Sequence, residues 1–472
     1  MSELMPKSFE LTFLFALSFV LVAYFIFNYV SHNLSRRLGA QYGCQPILSV
    51  HPSRWLGVNF IFDTHKHYKE RNYLHALCRQ FEDVGSTHEV RMLGYNLGHR
   101  LDVMKNFLGR GAFVTDVEEW QHSRALLRPS FNRGQVANLD TIEDHVSQLL
   151  RLIPSGGETV DLQELFYRFT MDSPTGEFAR SFKYALHRVS EGMRLGPMHS
   201  FRKTDPKAEE ANRFWRNYVS KYVDQTLAYR KKLADQGELG GRERRTFLMG
   251  LVMATDDREK MCDELISLLL AGRDTTASLI GSVIFCLSQN AYQWKKVRNE
   301  VQKVFGDRVP TYEELRSLQY VKHCINESLR LFPPVPNNAK MATEDTVLPH
   351  GGDNGGKAPV LVPKGCIIIY TVFALHRRKD LWGDDADDFR PERWEMGRKF
   401  AWDFLPFNAG PRICLGQQYA LTEAMYILIR MAQGFQTIES RDEEPWVESL
   451  ELTVSSGNGV KVAVQRAKTG ST

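Results

Sequence analysis

Residues Phe407–Gly416 read FNAGPRICLG, and the stretch LGQQYALTEAMYILIRMAQGF that follows, residues 415–435, carries an unbroken helical pattern. One cysteine, Cys414, stands between Gly410 and Gly416, two residues after Arg412. A lone cysteine is usually a small buried hydrophobe, so any chemistry has to come from its surroundings. At or near a helix N-terminus, free backbone N–H groups and the macrodipole favour thiolate over thiol, which predicts a lowered thiol pKa. The flanking glycines let a flat group approach the backbone. Phe407 can cover the sulfur and Arg412 can reach an anion. A flat, anionic, metal-bearing partner that needs one thiolate is haem, and cysteine ligation of haem iron favours O–O cleavage.

About 140 residues earlier, ELISLLLAGRDTTASLIGSVIFCL (residues 264–287) is an apolar helix interrupted by Gly272, Arg273, Asp274, Thr275 and Thr276. Polar groups inside a buried helix cost roughly 1–3 kcal/mol each unless bonded or used. Two readings follow. Gly272 opens space over a flat ligand while Asp274 and Thr275 relay protons through water, or threonines bonding back to preceding carbonyls bend the helix. Further on, CINESLRLFPPVP puts Glu327 and Arg330 on one helix face and FRPERW supplies Arg393. As an exposed pair the first two are worth ~0.2–0.5 kcal/mol; as a buried network of three they fix geometry, because removing any member strands a charge. In EEWQHSRALLRPSF, Trp120 and Arg124 sit on adjacent turns and can address one carboxylate. The plain alternative there is an amphipathic helix.

The bulk composition narrows the field. The 472 residues, 43% of them hydrophobic, can bury one large core or two modest ones. Sixty Lys and Arg against 56 Asp and Glu leave a net charge of +4 without basic clusters, which argues against nucleic acid as a partner. Seven scattered cysteines with no C-x-x-C pair suggest neither a disulfide framework nor a zinc site, and fit a reducing compartment. Near the N-terminus LTFLFALSFVLVAYFIF, Leu11–Phe27, is charge-free and reaches twenty residues with Asn28, Tyr29 and Val30, the length that ~30 Å of hydrocarbon requires. Arg36 and Arg37 follow it, so the positive-inside tendency places the remainder in the cytoplasm. The expected organisation is a transmembrane signal anchor over 1–35, a Pro-containing linker over 36–59 and a catalytic domain over 60–472.

Three- and four-residue spacing predicts helices over 140–153, 213–233, 258–289, 291–305, 312–331 and 417–435. Strands are expected in HEVRML, APVLVP, CIIIYTVF and LELTVSSGNGVKVAVQ, where SGNG reads as a hairpin turn. The fold class is mainly α with a smaller β part (α+β).

In this order, the four motifs resemble those of the cytochrome P-450 superfamily of haem-thiolate monooxygenases. Its F-x-x-G-x-R-x-C-x-G signature is matched at every fixed position. The resemblance implies the P-450 fold from about residue 60 onward and haem (iron protoporphyrin IX) as cofactor. Cys414 becomes the axial ligand and Asp274 with Thr275 the oxygen-activating pair. Glu327, Arg330 and Arg393 become a structural triad, and Trp120, Arg124, His376 and Arg412 become holders of the propionates, with Phe407 and Gly416 against the haem. It also implies NADPH–cytochrome P-450 reductase as electron donor, cytochrome b5 as a further candidate, and docking near Arg128 and Arg133. Stretches such as LLLAGRDTTASL, VLPHGG and PFNAGPRICLGQQYALTEA look like the fungal membrane-bound n-alkane and fatty-acid hydroxylases. That points to terminal hydroxylation of an aliphatic chain at the endoplasmic reticulum membrane.

The chain departs from the family pattern in places. Only residues 95–105 stand where the family has a second strand and a short helix, and a similar shortfall follows FTMDSPTGEFARSF. Val117 and Lys340 replace an expected glycine and arginine. Two other readings therefore stay open: a haem-thiolate isomerase or peroxygenase needing no external electrons, and a haem-poor, non-catalytic membrane protein.

Overall fold

The computed structural model describes residues 37–45, 65–84 and 100–467, except 155, 171–175, 196–198, 200–201, 203, 238–245, 353–355 and 396–401, together with positions 18, 22, 26, 30 and 33. The expected strand HEVRML lies outside the described residues. Of the expected membrane span, extended to Val30, only Ser18, Val22, Ile26 and Val30 are described, each helical and exposed. The chain forms two compact units: Met1–Asp63, Arg79–Gly94 and Lys340–Ile368 make one, and Thr64–Cys78, Tyr95–Ala339 and Ile369–Thr472 the other. In the first, Thr346–Gly352 pairs antiparallel with Ala358–Val362, as expected for APVLVP. Every candidate site residue belongs to the second.

That second unit is helical. It contains α1 (Arg100–Leu108), α2 (Val117–Leu127), α3 (Asp140–Leu152), β1 (Val160–Asp161), α4 (Leu162–Phe169), α5 (Gly176–Leu195), α6 (Pro206–Asp235) and α7 (Phe247–Ala254). Then follow α8 (Arg258–Ser288), α9 (Ala291–Phe305), α10 (Gln319–Leu331), α11 (Gln417–Gly434), β2 (Phe435–Ser440), β3 (Glu448–Leu450), β4 (Val454–Ser456) and β5 (Lys461–Arg466).

The 31-residue α8 is the axis of the unit. Asp257 caps its start by accepting the Lys260 N–H at 3.0 Å, and Asn290 closes its end by donating to Cys286 O at 2.7 Å. It is long and apolar enough to cross a membrane, but most of its apolar stretch is buried, with every residue from Ala277 to Ser288 inside. Ile280, Val283, Ile284 and Leu287 pack in one cluster with Ile325 and Leu329 of α10 and Ile427 and Met431 of α11. Each such side chain contributes about 1.5–3 kcal/mol by leaving water. A second cluster is aromatic, with Phe107 of α1, Phe182 of α5 and Trp215 of α6 meeting edge-on at centroid separations of 4.7–6.5 Å.

Two expectations are corrected. The single helix expected over 312–331 is broken into Tyr312–Leu315 and α10. Leu318 is extended and fully buried, and the carboxylate of Glu300 on α9 accepts the N–H groups of Tyr320 and Val321, both at 2.9 Å, which starts a new helix there. SGNG is no hairpin turn, because β4 pairs with β3 while β5 pairs with β2 and β1, so the glycine-rich link joins two different sheets.

Candidate active site

The loop before α11 is set by its own backbone. The Cys414 N–H donates to Phe407 O at 3.0 Å. Asn408 takes φ +62, steadied by Tyr370 Oη donating to its side-chain oxygen at 2.9 Å. Gly410 takes φ +71, where an L side chain is strained, and nothing lies within 4 Å of where its Cβ would be. Gly416 precedes α11, and the ring of Phe131 packs against it, 3.4 Å from a hypothetical Cβ. Cys414 is an exposed residue, but enough protein surrounds its sulfur that burial raises the thiol pKa. The Gly416 N–H and the charge of Arg124 offset that only in part. The direction is opposite to the expected lowering, because desolvation outweighs the backbone N–H and the nearby guanidinium.

Beside the cysteine the expected cationic group assembles. Arg124 donates to Ile413 O at 3.0 Å and its guanidinium lies 5.6 Å from the Trp120 ring centre. Arg412 lies 4.5 Å from the same ring and donates to Thr115 O and to the Asp116 carboxylate, at 3.0 and 2.7 Å. The structure adds a member that the sequence did not reveal. Arg100, donating to Asn338 Oδ1 and Ala339 O at 3.1 Å each, has its pKa lowered first by burial and then by the charge of Arg412, with Asp116 opposing. No motif surrounds Arg100, and 24 residues separate it from Arg124. Asp116 faces Arg412 and Arg100, whereas Arg124 feels the like charges of Arg128 and Arg412, so among the described residues the three guanidiniums have one carboxylate between them and two positive charges remain. A ligand with two carboxylates would balance them.

On α8, Gly272 is exposed within the helix and has no atom within 4 Å of its Cβ position. Asp274 is buried and paired with Arg273 Nη1 at 2.5 Å; burial raises its pKa and the adjacent guanidinium opposes. Arg273 is itself held between the rings of Tyr167 and Phe182, at 4.9 and 5.0 Å, and burial with the Asp274 charge pushes the Tyr167 phenol up to about 12. Thr275 Oγ1 donates to Ala271 O at 2.5 Å. The back-bonding threonine and the acid beside it are therefore both present, and the two readings of this motif are compatible.

Glu327, Arg330 and Arg393 form the buried network. Glu327 accepts from Arg330 Nε and Nη2 at 3.0 and 2.8 Å, from Arg393 Nε at 2.7 Å, from Trp394 Nε1 at 3.0 Å and from the Arg390 N–H at 3.0 Å. Arg330 donates onward to His376 O and Asp388 O at 2.8 and 3.1 Å. His376 leaves the expected propionate set and belongs here. Its Nδ1 donates to Arg330 O at 3.2 Å and its Nε2 accepts the Leu405 N–H at 2.9 Å. Burial pushes its pKa down to about 3, so the ring is neutral and both nitrogens are in use.

An exposed cysteine in a glycine-flanked loop, a helix opened at Gly272 and a cluster of guanidiniums with one carboxylate against it among the described residues fit haem. A family model described as Cytochrome P450 matches residues 99–459. The cytochrome P450 monooxygenase fsdH of Fusarium heterosporum is 52% identical over 97% of this chain and 90% of its own length. The cytochrome P450 monooxygenase himC of Aspergillus japonicus is 47% identical over 90% and 84%, and cytochrome P450 52A10 of Candida maltosa 35% over 95% and 97%. The first of these alignments has 507 positions against 472 residues here, so at least 35 positions of that relative have no counterpart. With its signature loop, buried triad and cation cluster, the chain belongs to the cytochrome P450 monooxygenase family, whose cofactor is a cysteine-ligated haem.

Proposed function

We propose that Cys414 supplies the thiolate to haem iron and that Trp120, Arg124, Arg412 and Arg100 hold its two propionates. The observation that carries this is the excess of guanidinium charge, with one carboxylate against it among the described residues, beside an exposed cysteine. Bound haem supplies the activation of O₂ that places one oxygen atom in a C–H bond. The chain supplies the rest. Phe407 and Gly416 shape the approach to the sulfur, Gly272 leaves room on α8, and the Asp274 carboxyl delivers protons once it parts from Arg273. The Thr275 hydroxyl does so by leaving Ala271 O. Electrons come from NADPH through a separate reductase, which the exposed Arg128 and Arg133 would meet; Arg133 already pairs with Glu313 at 3.1 Å.

The substrate we assign is a long aliphatic chain, an n-alkane or fatty acid hydroxylated at its terminal carbon. It would be reached from an endoplasmic reticulum membrane that residues 11–27 span. This finer reading rests on the likeness to fungal aliphatic hydroxylases and on a 35% identical relative, whereas the relatives at 52% and 47% are described only as monooxygenases.

The test is the reduced, carbon-monoxide difference spectrum of the full chain, followed by NADPH consumption with a reductase and alkane or fatty-acid substrates. A thiolate-type band that Cys414→Ala abolishes, together with substrate-dependent NADPH use, is the expected result. A band untouched by C414A overturns the ligand assignment. A band without dependence on NADPH and reductase favours the isomerase or peroxygenase reading, and a wild-type chain without a band favours the haem-poor one.

A further inference from the structure

We propose that Lys260, Asp263 and Glu264, one turn of α8, are positioning residues for the haem site, gripping the α1–α2 loop and α2 itself. The three lie at i, i+3 and i+4, so they share one helix face. Asp263 is 7% exposed and Glu264 fully buried. Such carboxylates are tolerated when a charge partner and hydrogen bonds offset their burial. Asp263 Oδ2 accepts the Arg110 N–H at 2.7 Å and its Oδ1 pairs with Arg216 at 2.9 Å. Glu264 Oε2 accepts the Ala112 N–H at 3.2 Å and its Oε1 pairs with Lys260 Nζ at 3.0 Å. The Lys260 ammonium also donates to Arg110 O at 2.8 Å and to Ser123 Oγ at 2.7 Å, two hydrogen bonds beside its ion pair with Glu264.

The loop is cut to fit this grip. Gly109 takes φ +61, and a Cβ there would sit 1.9 Å from Asp263 Oδ1; one on Gly111 would sit 2.1 Å from Ser267 Oγ and 2.8 Å from Asp263 O. What the grip holds is the cation cluster. The same loop ends at Thr115 and Asp116, which bind Arg412, and Ser123 lies on α2 between Trp120 and Arg124. One turn of α8 thereby sets the seat of three of the four groups assigned to the propionates, although none of its own side chains is assigned to the haem.

This inference rests on the haem reading above. The experiment uses the full-length, haem-loaded chain and follows haem transfer to excess apomyoglobin in Glu264→Gln, Lys260→Met and Lys260→Arg, with Val301→Ala, a buried truncation on α9, as a stability control. Haem loss at least tenfold faster in E264Q and K260M is expected, with substantial recovery in K260R and near wild-type retention in V301A when variants are compared at equal loss of melting temperature. Should E264Q or K260M not fold, Ser123→Ala, which removes only one acceptor, decides by a roughly threefold acceleration. Release within twofold of wild type in the folded variants, or equal acceleration in V301A, overturns the clamp alone. A wild-type chain without a haem band overturns the haem reading and the clamp's role together.

Discussion

Glu423 and His376 are buried titratable groups whose folding costs run in opposite directions. Burial alone pushes the Glu423 carboxyl, 9% exposed on α11, up to about 7 from 4.5. Between those values the native chain keeps a proton that the unfolded chain has lost. That stability is complete below about 4.5 and disappears as pH rises through 7, a total of roughly 3 kcal/mol. His376 is depressed from 6.5 to about 3, chiefly by burial. The unfolded chain binds a proton below 6.5 that the native chain refuses, so this contribution is present above 6.5 and is lost as pH falls toward 3. Between about 4.5 and 6.5 the two slopes cancel. Glu423→Gln removes one and leaves the other. The variant should match wild type near pH 4.5, rise in stability with pH up to 6.5, and exceed wild type by roughly 3 kcal/mol at pH 8. Thermal melts across that range check this; parallel curves for the two proteins would show that Glu423 does not titrate in the window.

At the scale of elements, what the sequence left unread was supplied by tertiary partners. Periodicity located α8, α9 and α11 to within a residue or two, because each is apolar on the expected spacing. The break before α10 was invisible, since residues 312–331 keep a helical pattern while the groups that restart the helix are the two oxygens of Glu300, twenty residues earlier on another helix. A carboxylate accepting two free N–H groups at a helix start does the work of an N-cap side chain. Glu300→Ala should therefore cost about 1 kcal/mol, with a range of roughly 0.5–2. It should also raise amide exchange at Tyr320 and Val321 before any other part of α10. Unchanged protection at those two amides in the variant would mean that buried packing at Leu318, not Glu300, starts the helix. The SGNG link failed for a related reason. A turn sequence specifies a reversal, but which strands pair is settled by the partners β3 and β2, which local chemistry does not name.

For the molecule as a whole, the chemistry-bearing loop was legible and the assembly around it only partly so. Residues 407–416 carry their meaning in consecutive positions, because one thiol, its glycines and its arginine must be neighbours in sequence to be neighbours in space. His376 leaves the cation cluster and Arg100, which the sequence reading did not single out, joins it, since a guanidinium or an imidazole is assigned by what lies across from it. Every side chain placed at the proposed haem site lies between residues 100 and 416, and all belong to one compact unit that contains none of residues 1–35. Anchoring and haem binding should then be separable. Deleting residues 2–35 removes the charge-free run Leu11–Phe27, and with it the ~20-residue apolar length that a bilayer-spanning helix needs. The expected outcome is a protein released from the membrane pellet by alkaline carbonate that keeps the reduced carbon-monoxide spectrum per mole of chain. A truncated chain that still resists carbonate would place the anchor elsewhere, and the 31-residue α8 could not provide it without unfolding the core, because its apolar face is spent on α10 and α11. A truncated chain that leaves the membrane but loses its haem would instead mean that residues 2–35 support the fold of the catalytic unit.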